Sequence, residues 1–140
     1  MNILKQEQTI VRRYLGIQYK LRGRDYRTGL DCYGLIIAVY KDLGFDLLDI
    51  EEEYDINWQW QKRVNFIEKY HDKWLKVKSA AFLDVVLFKD PRGHANHGGI
   101  MLRDDRFLHC SKTGVTIGRI MYPQWESRVD GFYHLKVRDD

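Results

Sequence analysis

Two cysteines and five histidines are the side chains here best suited to nucleophilic or general-base work near neutral pH: Cys32, Cys110, His71, His94, His97, His109 and His134. Cys32 stands where a polar, glycine-bearing loop gives way to an apolar periodic segment. Leu35, Ile36, Val39, Tyr40 and Leu43 recur at helical spacing, and Gly44 follows where a helix would stop. The thiol is thus expected in the first turn of a buried helix, where unpaired amides and the macrodipole favour a thiolate. Asp31, one residue earlier, is suited to capping that turn.

A thiol nucleophile needs a base to take its proton and a third group to fix the base's tautomer. His97 opens an apolar strand directly before Gly98 and Gly99, which would admit a substrate or a facing helix, and His109 closes the next strand. His71 and His134 have no distinguishing neighbours. An unperturbed thiol titrates near about 8.5, and a helix N-terminus with an imidazolium partner lowers that by several units. A thiolate–imidazolium pair is therefore expected at neutral pH. The chemical alternative is a metal, because His94, His97, His109 and Cys110 offer four ligands in seventeen residues. Spacing argues against it: His109 and Cys110 are consecutive on a strand and point to opposite faces. Cys110 is then expected to be a buried strand residue.

The elements that must position these groups follow from periodicity. Ile3, Ile10, Val11, Tyr14 and Leu15 share a helical face, with Gly16 as its C-terminal stop. Residues 17–29 read as loop or short extended chain, and 31–43 as the nucleophile helix. Glu51, Glu52 and Glu53 read as a solvated connection, and Trp60, Val64, Ile67 and Tyr70 as a further helical stripe. After Lys78 the period changes. Strands are expected at 82–88, 97–102, 107–110, 115–117 and 131–137, with turns at Asp90-Pro91-Arg92-Gly93, at Arg103-Asp104-Asp105-Arg106 and at Lys112-Thr113-Gly114. Helices first and an antiparallel meander second make an α+β fold, read as one domain over residues 1–140.

Composition sets the bounds. The chain has 140 residues, 44% hydrophobic and 31% charged, enough for one domain with a real core. Aromatic residues make up 14%, which suits a dense core. A net charge of +3 from 23 basic and 20 acidic side chains is too balanced for a nucleic-acid face. The N-terminal residues turn polar at once, so neither a signal peptide nor a membrane span is expected. Two cysteines are too few for a disulfide framework, which fits synthesis in a reducing cytoplasm.

Five segments, in order, resemble one family. Asp31-Cys32-Tyr33-Gly34-Leu35-Ile36 is similar to the Asp-Cys-Ser-Gly-Leu-Val motif of the NlpC-type cell-wall cysteine peptidases, which have a papain-like fold. Leu15-Gly16-Ile17-Gln18-Tyr19 resembles their Leu-Gly-x-x-Tyr segment, and Leu83-Asp84-Val85-Val86-Leu87-Phe88 their Gly-Asp-Leu-Val-Phe-Phe strand. His97-Gly98-Gly99-Ile100-Met101-Leu102 resembles the strand that carries the base, and Phe107-Leu108-His109-Cys110-Ser111 the one bearing the third polar residue. The resemblance implies N-terminal helices packed on an antiparallel sheet, with Cys32 as nucleophile, His97 as base and acid, and His109 as its orienter. It implies Tyr19 and the Cys32 amide near the developing oxyanion and Asp31 near a substrate amine. Tyr33 stands in the place of a substrate-binding serine, Leu83 replaces a glycine, and Arg22-Gly23 replaces a Trp-Gly-Gly segment. The substrate implied is a peptidoglycan stem peptide cut between D-γ-glutamate and the diamino acid after it. No cofactor, metal, nucleic acid or membrane is implied.

Asp-Cys-aromatic-Gly-Leu in a short chain looks most like the phage-tail branch, whose members would be packaged in a virion with other tail proteins. Two alternatives stay open. One is a catalytically silent tail component, and the other an acyltransferase or amidase acting on a different amide. One geometric expectation tests the histidine pair. His97 and His109 share a sheet face only if the loop between their strands has an odd count, and oppose each other directly only if it centres on Arg103.

Overall fold

The structure, a computed structural model, describes residues 2–49 and 66–138. Helix α1 (Ile3–Tyr14) starts where the Asn2 side chain accepts the amides of Leu4 and Lys5, and it gives way at Leu15 and Gly16, whose φ is 88°. Its inward face is Glu7, Ile10 and Tyr14, whereas Ile3 and Leu15, expected on that face, are exposed. Glu7 is buried because it is paired. It accepts the Arg103 amide at 2.7 Å and faces the Arg103 and Arg106 guanidiniums at 3.1 and 2.8 Å. Burial pushes this carboxyl up, but these partners outweigh it and hold it below the usual value. Tyr14 donates to Asp42 at 2.5 Å, tying α1 to the end of the next helix.

Strands β1 (Arg24–Asp25) and β2 (Gly29–Leu30) form a small hairpin ahead of helix α2 (Cys32–Asp42). Asp31 caps α2 by accepting the Gly34 amide at 2.8 Å, as expected, and Gly44 leaves the helix at φ 94°. The helix buries Cys32, Tyr33, Gly34, Leu35, Ile36, Val39 and Tyr40, so it is a central helix covered on nearly all sides. Burying each of Leu35, Ile36 and Val39 is worth about 1.5–3 kcal/mol. Gly34 is required by contact: a Cβ there would lie 2.0 Å from the Gly23 carbonyl oxygen.

Of the helical stripe expected over 60–70, the described part is helix α3 (Phe66–Lys69), followed by a 3-10 turn at His71–Lys73. Trp60, Val64 and the run Glu51-Glu52-Glu53 lie outside the described residues. The remaining strands are β3 (Trp74–Val77), β4 (Val85–Lys89), β5 (Ala95–Met101), β6 (Arg106–Ser111), β7 (Gly114–Arg119) and β8 (Val129–Leu135), with the short helix α4 (Pro123–Glu126) between β7 and β8. They form one antiparallel sheet ordered β3-β8-β4-β5-β6-β7. The α+β class and the helices packed on an antiparallel sheet are as expected.

Three details differ. β3 was not expected, because as an edge strand it buries fully only Trp74 and its lysine-bearing sequence shows no clean alternation. α4 was missed because a single four-residue turn has no periodicity to read. β4 begins at Val85 rather than at residue 82, because Leu83 turns the chain at φ 72° and the Asp84 carboxylate accepts the Ala81 amide. The family's glycine at this position would take that angle without strain, whereas here the Leu83 amide donates to Met101 O and its carbonyl accepts from Tyr40.

Candidate active site

The site is organised by what each face of β5 carries. Gly98 turns toward α2, where a Cβ would lie 3.0 Å from Ile36 Cδ1, so its missing side chain admits the helix. Cys32 is one turn before Ile36 on that helix. Cys110 fixes which end of the sheet this is, since its Sγ donates to the Leu30 carbonyl, two residues before Cys32, at 3.0 Å. Cys32 is therefore held toward the end of the sheet where β5, which begins at Ala95, carries His97. It is 6% exposed, within the helix's first turn.

His97 and Gly99 turn to the opposite face, and Gly99 pairs across the ladder with His109. A Cβ on Gly99 would lie 3.2 Å from His109 Cβ, so this second glycine makes room for the histidine. Leu102 and Arg106 close the β5–β6 turn, leaving a three-residue loop of Arg103, Asp104 and Asp105, the last two at φ 60° and 61°. The loop count is odd, and the two histidines share a face. The loop centres on Asp104, so they meet diagonally, with His97 Nε2 2.9 Å from His109 Nδ1. His109 Nε2 continues the chain to Thr116 Oγ1 at 3.3 Å, on the paired residue of β7.

Both rings are held uncharged. Burial first, then His109 and Arg128, lower His97 to about 3, and burial and Arg128 lower His109 to about 4. Both shifts run against the imidazolium expected beside Cys32. His97 is half-buried and faces a second ring and a guanidinium, both of which disfavour its charged form. Cys110 is a buried thiol on the other face, pushed up to about 12 by burial and Asp31. Opposite projection of His109 and Cys110 leaves them unable to share a metal. Among the described residues, no three His, Cys, Asp or Glu side chains gather as a metal site.

The Tyr19 backbone bridges Leu30 and so runs beside the loop entering α2, with its side chain half-buried. Asp31 is 4% exposed, and protein donors occupy its carboxylate: Gly34 N and Arg24 Nη1 on Oδ1, Arg22 N on Oδ2. Arg24 is itself shared with Asp49 through two bonds. Tyr33 is 1% exposed and packs in the core around α2. Sequence reasoning missed Thr116, Trp125 and Arg128, all of which reach the histidine pair. Only Thr116 left a signal, as the polar residue of an apolar strand.

Comparisons with known proteins bear on the fold and the family. The fold is similar to an NLP/P60-family, lipoprotein-like protein of Staphylococcus aureus, at 21% identity and a TM-score of 0.66 over 94% of this chain and 41% of that one. A Bacillus cereus NLPC/P60 protein matches at 18% identity and a TM-score of 0.67 over 94% of this chain and 39% of its own. The NlpC/p60 domain of the peptidoglycan hydrolase SagA matches at 20% identity and a TM-score of 0.60, over 95% of this chain and 96% of that domain. This chain thus spans about two-fifths of the first two proteins and nearly all of the third chain. No curated protein matches it. The model of the NlpC/P60 family matches residues 16–134, and the chain belongs to that family.

Proposed function

We propose that this protein is a cysteine peptidase that cleaves peptidoglycan stem peptides, with Cys32 as nucleophile, His97 as general base and acid, and His109 as orienter. The observation that carries the reading is the His97 Nε2–His109 Nδ1 bond at the end of the sheet where α2 presents Cys32. Nε2 of His97 is committed to His109, so Nδ1 is the ring atom that takes the thiol proton. Cys32 Sγ attacks the amide carbonyl, and the Cys32 amide and Tyr19 line the side where the oxyanion develops. His97 then returns the proton to the leaving amine, giving a thioester on Cys32. Water, deprotonated by His97, hydrolyses the thioester and restores the thiol.

Family membership, and the peptidoglycan hydrolase SagA among the similar structures, support the substrate class. The bond we assign is D-γ-glutamyl–diamino acid, and the aromatic Tyr33 after Cys32 supports a phage-tail setting, with tail proteins as partners and the cell wall as site of action. The test is incubation with γ-D-Glu–diaminopimelate peptides beside Cys32→Ala. The parent is expected to cleave and the variant to lose at least about a thousandfold of kcat. Cleavage surviving in Cys32→Ala overturns the mechanism, and an inert parent overturns the assigned activity.

A further inference from the structure

The connection from β7 to β8 packs on the histidine pair through Trp125. Met121, Tyr122 and Pro123 are exposed, but Trp125 of α4 is half-buried and turned inward. Its ring stacks on His97, with centroids 6.2 Å apart and planes at 21°. It meets His109 edge-on at 4.8 Å and 79°. Phe88 and Phe107 sit 5.0 and 5.1 Å from the same indole, and each also contacts one histidine, Phe88 with His97 at 5.9 Å and Phe107 with His109 at 4.9 Å. The two imidazoles, themselves at 85°, thus lie in a box of three aromatic rings. Arg128 closes it from outside, lying 5.3 Å over the indole and donating from Nε to Lys89 O at 2.9 Å.

We infer that Trp125 is a positioning residue for the His97–His109 pair, holding the planes of both rings and keeping water from the hydrogen bond between them. The inference rests on the catalytic reading of His97 and deepens it. A ring parallel to one imidazole and perpendicular to the other leaves neither free to rotate about its χ2 without losing contact. A dry Nε2–Nδ1 bond is also stronger than the same bond exchanging with water. Lowered proton affinity at both histidines is consistent with such a cover. The titratable and charged groups that bear on His97 are His109 from β6 and Arg128 after α4. Phe88 of β4 and Thr116 of β7 add no charge.

The experiment compares Trp125→Ala and Trp125→Phe with the parent in three measurements: NMR titration of the His97 and His109 rings, the pH dependence of Cys32 alkylation by iodoacetamide, and peptide cleavage. In Trp125→Ala both histidine pKa values are expected to rise by a unit or more toward about 6.5. Its kcat is expected to fall about tenfold with KM little changed, while Trp125→Phe stays within about threefold of the parent. Trp125→Leu carries the same expectation as alanine should Trp125→Ala fail to fold. Folded alanine or leucine variants with parental titration and kcat would overturn the inference. The titration needs no substrate, so an inert parent would remove the peptidase assignment while the ring pKa values still decide whether Trp125 governs the pair.

Discussion

The two faces of the sheet are built from different materials. On the α2 side, Leu35, Ile36, Val39, Val85, Leu87, Ile100 and Leu108 form a large, mainly aliphatic core that also holds Cys32. On the α4 side, Val86, Phe88, Met101, Phe107 and Ile120 form a small cluster, covered by Trp125 and carrying the histidines. The first face supplies bulk burial and fixes where the thiol stands. The second face buries little but controls proton affinity, because its rings desolvate two imidazoles whose hydrogen-bond partners among the described residues are each other and Thr116. Stability and protonation are therefore expected to respond to different mutations.

The largest effect should come from the α2 face. Leu35 is fully buried in the core between helix and sheet, and Leu35→Ala removes its contacts and leaves a cavity. Unfolding in urea should show a loss of about 2–5 kcal/mol. The histidine titrations in the surviving folded protein should be parental. A cost below about 1 kcal/mol, or shifted histidines, would break the division between the faces.

The next effect belongs to the α4 face and depends on pH. The unfolded chain's histidines take protons near about 6.5. His97 and His109 resist until about 3 and about 4. Between these limits the unfolded state binds more protons than the native state, so stability rises with pH there. It is whole above about pH 6.5 and is lost progressively as pH falls toward 4. Replacing His109 with Asn should flatten much of this slope in urea titrations at pH 4.5, 5.5 and 7. An equally steep slope in the variant would assign the acid sensitivity elsewhere.

This division also explains what was legible in the sequence. α2 could be read because its spacing, its Asp31 cap and Gly44 all express one helix buried in one core. The pair Gly98-Gly99 was legible as a place of close approach. That one glycine admits a helix and the other a histidine, on opposite faces, emerges only from the strand register. Trp125 and Arg128 left no pattern, because their partners lie on β4, β5 and β6, far away in the chain. Asp31 shows the converse. Its capping role was local and readable, but the Arg24 guanidinium on the same carboxylate arrives from a hairpin whose geometry no spacing rule gives.

The smallest effect tests the direction of the proton chain. For His97 Nδ1 to accept from Cys32, His97 must carry its proton on Nε2 and donate it to His109 Nδ1. His109 must then be protonated on Nε2, which points at Thr116 Oγ1, 3.3 Å away. In the opposite arrangement His109 Nδ1 donates to His97 Nε2, the remaining His97 proton sits on Nδ1, and the thiol has no acceptor. The Thr116 hydroxyl completes either arrangement, accepting from Nε2–H in the first and donating to bare Nε2 in the second. Without it the first leaves an N–H with no partner and the second only an unfilled acceptor, so losing the hydroxyl should disfavour the competent tautomer. Thr116→Val keeps the shape and removes the acceptor. As Thr116 is exposed, stability should move by less than about 0.5 kcal/mol. The kcat should fall about two- to tenfold, and nitrogen NMR should show more His109 protonated at Nδ1. Recovery in Thr116→Ser would tie the loss to the hydroxyl, and an unchanged tautomer in Thr116→Val would mean that the aromatic box alone sets the direction.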